Sequence, residues 1–343
     1  MTNKYKFLLS AIVFFVFLIA GCSKKEETEN KSASNDDLQL QSEKQQDIEP
    51  VMFQFPLTGM ETTEQSDNRA ISVMINNHPS ARPQSGLQKA DIVYEVLAEG
   101  GITRLLAVFQ SEMPEKVGPI RSARDYYIQL AKGFNSFYIF HGWSPSAKKL
   151  IEQGIVDSLN GLTYDGTLFK RASFRVAPHN SYITYKNIVK GAGEKQVSLT
   201  GAPKANIFLK DKEDIIGEDL NKMTISYSDK NFEVQYEYDQ TIGKYIRFSG
   251  GVQTLDLESK DPIVLDNIFI VEMKHGFLKD GYRRWVDLQS GGSGYALQKG
   301  KLLTIEWKNV DGRIVPYKDG KPLPYVPGKT WVNIVPNLNL LSY

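Results

Sequence analysis

The pattern of short apolar runs changes character half-way along this 343-residue chain, and that change limits the available architectures more than any other feature. From residue 70 to about 195, strand-like and helix-like signals alternate. Ala70–Ile75, Asp91–Ala98, Arg104–Gln110 and Phe137–Gly142 are β-branched and aromatic runs bounded by Gly, Pro or Asn. Ser122–Lys132 places Ala123, Tyr127, Leu130 and Ala131 on one helical face, with Gly133 as a stop and Ser122 as the expected N-cap. Ser144-Pro145 reads as N-cap and first helical residue of a second helix ending near Gly154, and Thr184–Gly191 gives a third. After about Gly217 helical periodicity is scarce. MTISYS, FEVQYEYD, KYIRFS, NIFIVEM, KLLTIEWK and TWVNIVP follow as strands between Asp-Gly, Gly-Gly and Pro-rich turns. SGGSG at 290–294 lacks the Lys-Ser/Thr and the helix of a phosphate loop and reads as a hairpin connection. The expectation is an α/β N-terminal domain over 51–200 and a smaller, mainly-β C-terminal domain over 201–343, joined through the polar, glycine-bearing stretch near 193–218.

The N-terminal residues read differently. Lys4 and Lys6 precede an apolar run from Phe7 to Ala20, which has the length of a signal-peptide h-region and is short for a membrane span. It ends in IAGC, which resembles the lipobox of bacterial lipoproteins and implies cleavage before Cys22 and lipid attachment to it. Cys22 is the only cysteine, so no internal disulfide supports the fold and an ordinary core must hold it. Residues 23–50 are polar and charged with almost nothing to bury, and are expected to be a disordered tether.

The tether carries a net charge of −4 and the signal segment +2, leaving +3 on residues 51–343 of a chain whose total is +1. So small a balance argues against general nucleic-acid binding, and any anion site must be local. No Gly-x-Ser-x-Gly, His-Glu-x-x-His or Walker loop occurs. The four histidines (78, 141, 179 and 275) show no metal-ligand spacing, so a structural zinc is not expected, and the chain carries no motif that calls for a cofactor.

What remains is a set of polar clusters at strand ends in the first half. Asn76, Asn77, His78 and Arg82 follow the first strand, Glu99 stands beside a Gly-Gly turn, and Arg104 opens the next strand. Arg121, Arg124 and Asp125 lie in VGPIRSARD, and Arg171, Arg175, His179 and Asn180 in RASFRVAPHN. Ligands of open α/β sheets collect at the carboxyl ends of strands. Arg82, Arg104, Arg121, Arg124, Arg175, His179 and Asn180 are the candidate anion-binding residues, and Glu99 and Asp125 the candidate acid, base or metal-binding carboxylates. Two uses of the central segment stay open. Its arginines hold an anion beside a helix start, or Arg121 and Asp125, four apart, form a surface ion pair.

GPIRSARDYYIQLA, INNHPSARPQSGLQKADIVYE, EGGITRLLAVF and RVAPHNSYIT resemble, segment by segment, the Gram-positive lipoproteins of the DUF3048 family of unknown function. The resemblance runs over nearly all of 52–336, including DGYRRWVDLQSGGSGYALQKGKLLTIEWK and GKTWVNIVP. It implies an N-terminal α/β domain, a smaller β-rich C-terminal domain and a lipid anchor at the outer face of the membrane. A cell-wall precursor or an envelope protein is the partner expected for the anion-binding residues. It implies no chemistry. A looser likeness, of PIRSARD and the Asp91-led strand to the LytR-CpsA-Psr phosphotransferases, implies an enzyme acting on a phosphorylated or glycan envelope substrate. The spacing of Arg121 to Asp125 departs from that pattern, in which the two residues are adjacent.

Overall fold

The computed structural model describes residues 51–210 and 213–343. The signal segment, Cys22 and the tether lie outside the described residues. The described residues form one compact unit. Among the described residues no helix is long and apolar enough to cross a membrane.

Twelve strands make one sheet. In spatial order it runs Lys321–Pro322, Arg313–Lys318, Lys301–Val310, Gly292–Gln298, Asn267–Glu272, Thr330–Val335, Ile92–Glu99, Ile102–Phe109, Ile71–Asn76, Phe137–Phe140 and Ser158–Asn160, with Glu218–Asp219 added on Lys301–Val310. The expected division at residue 200 therefore does not separate two sheets. Thr330–Val335, from the far end of the chain, runs parallel to Ile92–Glu99 on one side and to Asn267–Glu272 on the other. All six of its residues are buried. A strand with no polar alternation must be covered on both faces, which a central place in a large sheet provides.

The protein is mostly strand with few helices. Among the described residues the four α-helices, α1 (Asp125–Gly133), α2 (Pro145–Glu152), α3 (Gly161–Tyr164) and α4 (Tyr185–Glu194), all fall in the first half, and the described part of the second half contains only strands and short 3-10 turns. One face of the large sheet packs on α1 and α2 through Tyr94, Val96, Leu106, Tyr127, Leu130 and Phe140. The other packs on α4 and on a second, six-stranded sheet through Val93, Leu97, Ile270, Tyr236 and Leu265. Each large apolar side chain so buried stabilises the fold by about 1.5–3 kcal/mol.

Direction decides where a site can form. Asn267–Glu272, Thr330–Val335, Ile92–Glu99, Ile71–Asn76, Phe137–Phe140 and Ser158–Asn160 all run the same way, and Ile102–Phe109 runs against them. Their carboxyl ends bring Asn76, Glu99, His141 and the start of the hairpin His275–Phe277/Arg284–Val286 to one edge. Arg104, near the start of the opposing strand, arrives at that same edge.

Candidate functional site

Between the carboxyl ends of Ile71–Asn76 and Phe137–Phe140 lies a wedge made of residues 119–123. Asn76 N donates to Pro119 O (2.8 Å) and Arg121 N to Met74 O (2.9 Å) on one side. His141 N donates to Arg121 O (2.9 Å) and Ala123 N to Gly142 O (2.9 Å) on the other. Two neighbouring parallel strands that diverge leave a gap with unpaired backbone groups, and the wedge satisfies them. Gly118 makes the entry possible. Its φ is +150°, and a Cβ there would lie 2.8 Å from Ser181 O and 2.7 Å from the Tyr182 ring.

The helix that follows starts later than the sequence suggests. α1 begins at Asp125, its N-cap is Arg124 rather than Ser122, and no side chain caps it. α1 is held to the sheet edge by its two tyrosines. The Tyr126 hydroxyl donates to Leu97 O (3.0 Å), and that of Tyr127 lies 2.9 and 2.8 Å from the carbonyl oxygens of Val96 and Arg104.

Beneath the wedge, Glu99 binds two arginines. Arg104 reaches one carboxylate oxygen at 2.6 Å and Arg124 reaches the other. All three residues are buried. A β-bulge between Leu97 and Glu99 makes this possible. Leu97 faces the second sheet, and strict alternation would send Glu99 the same way; the extra residue turns it instead toward Arg104 and Arg124. Arg104 also donates to Ser122 O (2.7 Å) and Arg124 to Ala123 O (2.7 Å), while Arg124 Nε is buried without a partner. Burial first, then the charge of Arg124, lowers the Arg104 pKa to about 10.

Arg121 stands apart from this cluster in its bonding. Its guanidinium makes no ion pair or side-chain hydrogen bond with any described residue, and it is only half-exposed. Burial lowers its pKa, Glu99 opposes that, and Arg124 adds to it. Within this group three arginines face one carboxylate, so two positive charges are uncompensated.

Three histidines surround Arg121, and their partners fix their tautomers. His78 N donates to Asn76 Oδ1 (3.0 Å), so the Asn76 amide donates to His179 Nδ1 at 2.9 Å. His78 Nδ1 accepts from Ser80 N (3.1 Å). Both rings therefore carry their proton on Nε2, and they stack with centroids 4.6 Å apart. Burial first, with Arg82 and Arg121 for His78 and with His78 and Arg121 for His179, holds both pKa values below the ordinary 6.5. Each ring has its Nδ1 lone pair already accepting a hydrogen bond and offers Nε2–H as a donor. His141 Nε2 faces Arg171 (3.1 Å), which can only donate, so His141 donates through Nδ1 to Ser181 Oγ (2.8 Å). A nucleophilic serine needs a histidine that accepts its proton, and this tautomer is the opposite one. Asp165 grips Arg171 with both oxygens, and that bond first of all keeps the carboxyl below its usual range.

The remaining expected residues serve elsewhere. Arg82 donates to Asn77 O and, at 2.8 Å, to Asn231 O. Arg175 donates to Ala81 O (2.7 Å), Pro83 O (2.6 Å) and the Tyr182 hydroxyl (2.7 Å). Both arginines pin loops rather than face Arg121. Asn180 accepts from Arg171 at 3.1 Å and donates to Arg175 O. Asp125 makes no ion pair with Arg121. Neither the surface pair nor a carboxylate clamp by Asp125 forms; Glu99 takes the clamping role. Residues outside the candidate anion-binding set complete the rim. Arg171 and His141 come from the first half, and Tyr282, whose phenol acts on the charge of Arg121, comes from the second-half hairpin. That hairpin is held over the edge by Arg284, which donates to Gly100 O and stacks on Phe277 at 4.2 Å. Among the described residues no group of three or more His, Cys, Asp or Glu is placed to share a metal ion.

A protein of mostly strands, with an arginine-rich cluster at one sheet edge and its two halves joined in a single sheet, matches the family described as "Protein of unknown function (DUF3048)". Its N-terminal domain profile covers residues 57–198 and its C-terminal domain profile residues 223–332. The chain belongs to this family. It is 45% identical over 335 residues to the "Putative lipoprotein YerB" of Bacillus subtilis, covering 97% of this chain and 96% of that one. It also resembles the crystal structure of the Bacillus subtilis YerB protein, with a TM-score of 0.80 and 49% identity over 84% of this chain and 99% of that one.

Proposed function

We propose that this protein is an envelope lipoprotein, anchored through lipid on Cys22 at the extracytoplasmic face of the membrane, whose Arg121 cleft, the space bounded by the arginine and histidine cluster at the sheet edge, binds an anionic group of an envelope ligand. The name of the Bacillus subtilis relative and the lipobox at Cys22 support the anchor. The observation that carries the binding reading is the unpaired Arg121 guanidinium, half-buried beside a net-positive buried cluster and among neutral Nε2–H donors. Desolvated positive charge without a counter-charge is unfavourable alone and becomes favourable when an anion arrives. Arg124 and Arg104 act through the field they set up with Glu99, and His78 and His179 supply donors.

A phosphotransferase-like or glycan-acting enzyme finds less support. Glu99 has both oxygens occupied by arginines, and Asp165 is held ionised by Arg171, so neither is free to move a proton. The test is titration of inorganic pyrophosphate by calorimetry at two salt concentrations. Saturable binding that weakens with salt and falls at least about tenfold in Arg121→Ala is expected. The fold should barely notice that substitution, changing by under about 0.5 kcal/mol, because Arg121 has no partner to lose. Equal binding to both proteins, or none, refutes the reading for phosphates; binding of a polyglutamate peptide alone would shift it to an acidic protein partner.

A further inference from the structure

A cavity of about 460 Å³ lies away from the cleft, at the seam between the loop 77–84 and the second sheet's hairpin Lys244–Ser249/Val252–Gln253. The seam is stapled. Leu257 N donates to Gln84 O (2.8 Å), Ser85 Oγ to Glu258 (2.9 Å), and Arg82 to Asn231 O (2.8 Å).

Arg82 and Arg247 are the only ionisable residues lining the cavity. Behind Arg247 stands one carboxylate, Glu95, wholly buried. Its oxygens already accept from Asn77 (3.0 Å), Thr103 (2.8 Å), Arg247 (2.8 Å) and Trp331 Nε1 (3.0 Å). Two guanidiniums against one filled carboxylate leave one positive charge unanswered. The polar accounting is open as well. Arg247 Nε and Ser249 Oγ are buried without a partner, although both residues are more than nine-tenths buried and line the cavity. Each terminal nitrogen of Arg82 gives one hydrogen to a carbonyl and keeps one without a protein acceptor. Pro79, Pro83, Val252 and Leu255 supply apolar wall. A purely apolar void would leave no such groups, and an anion answers the open hydrogen-bond positions and the charge together.

We propose that this seam cavity is a second binding site, for a small organic carboxylate with an apolar body. The carboxylate would lie against Arg82, with the charge of the buried Arg247 behind it, and the body between the two prolines and the hairpin. The site is independent of the Arg121 cleft, although one loop carries both His78 and Arg82.

The probe is phenylacetate, with phenylacetamide as its neutral counterpart, followed by saturation-transfer NMR and by titration. The expected result is saturable binding of phenylacetate at least about tenfold tighter than of the amide. That binding should persist in Arg121→Ala. It should be lost in Val252→Trp, which places an indole at the mouth from a residue 69% exposed in the native fold. Should that variant fail to fold, Ser249→Val removes the unpartnered hydroxyl and should weaken binding severalfold. No saturable phenylacetate binding up to about 10 mM, equal affinity for the amide, or binding unchanged by the substitutions would overturn the proposal.

Discussion

Glu99→Gln tests the electrostatic logic of the cleft most directly. The carboxylate is buried and serves two buried arginines, one on each oxygen. Glutamine keeps the shape and one acceptor oxygen. Its amide nitrogen, however, must point a donor at the other guanidinium, and the negative charge that pairs with Arg104 and Arg124 and acts on Arg121 disappears. Breaking a buried ion pair by removing one partner costs about 3–5 kcal/mol, because the other charge stays buried. With one pair kept as a neutral hydrogen bond and the other turned repulsive, the expected loss is about 4 kcal/mol. Against a total stability of about 5–15 kcal/mol this is a large fraction. Urea denaturation followed by tryptophan fluorescence measures it, with unchanged slope as the sign that both states keep their compactness. Two companion results are expected. Inorganic phosphate should recover part of the loss more effectively than chloride at equal ionic strength. Adding Arg124→Met to Glu99→Gln should destabilise less than Glu99→Gln alone, since the stranded charge is then gone. A loss under about 1 kcal/mol would mean that water reaches the arginines, and the reasoning behind a desolvated positive cleft would fail with it.

Burial, opposed by the Met273 carbonyl and aided by Arg284, lowers the His275 pKa to about 4. The unfolded state then takes up this proton first as pH falls, so the contribution of the neutral ring is present above about 6.5 and lost on the way down to about 4. His275→Gln should flatten the stability profile in that window by up to about 3 kcal/mol, read from urea midpoints at several pH values. Gly118→Ala should destabilise by about 2–3 kcal/mol and weaken pyrophosphate binding, because a left-handed φ and the nearby Ser181 carbonyl oxygen leave no room for a Cβ where the wedge turns in. Cys22→Ala should leave the protein unlipidated, seen as loss of acyl-chain labelling and escape from the membrane fraction; retention of the label would refute the anchor.

The sequence determined what local chemistry can determine. The runs at 70–75, 91–98, 104–110 and 137–142 are strands within two residues at each end, and those of the second half are strands too. Ser144-Pro145 caps a helix as read, with Ser144 Oγ accepting from Ala147 N at 3.2 Å. The polar clusters do sit at strand ends, because a chain leaving a buried strand must turn through polar residues. The tertiary structure decided the rest. Thr330–Val335 looks like any buried strand; only its partners show that it joins Ile92–Glu99 and merges the two halves. Arg82, Arg121 and Arg175 are alike in a sequence. Two of them met backbone carbonyls brought from distant loops and one met none, and a guanidinium's role follows the acceptors that surround it. Glu99 faces its arginines through a bulge that shows only in strand pairing, and Tyr282 nears Arg121 across about 160 residues of chain. Charge and periodicity are written residue by residue, whereas the partner of each charge is set by which segments fold beside it.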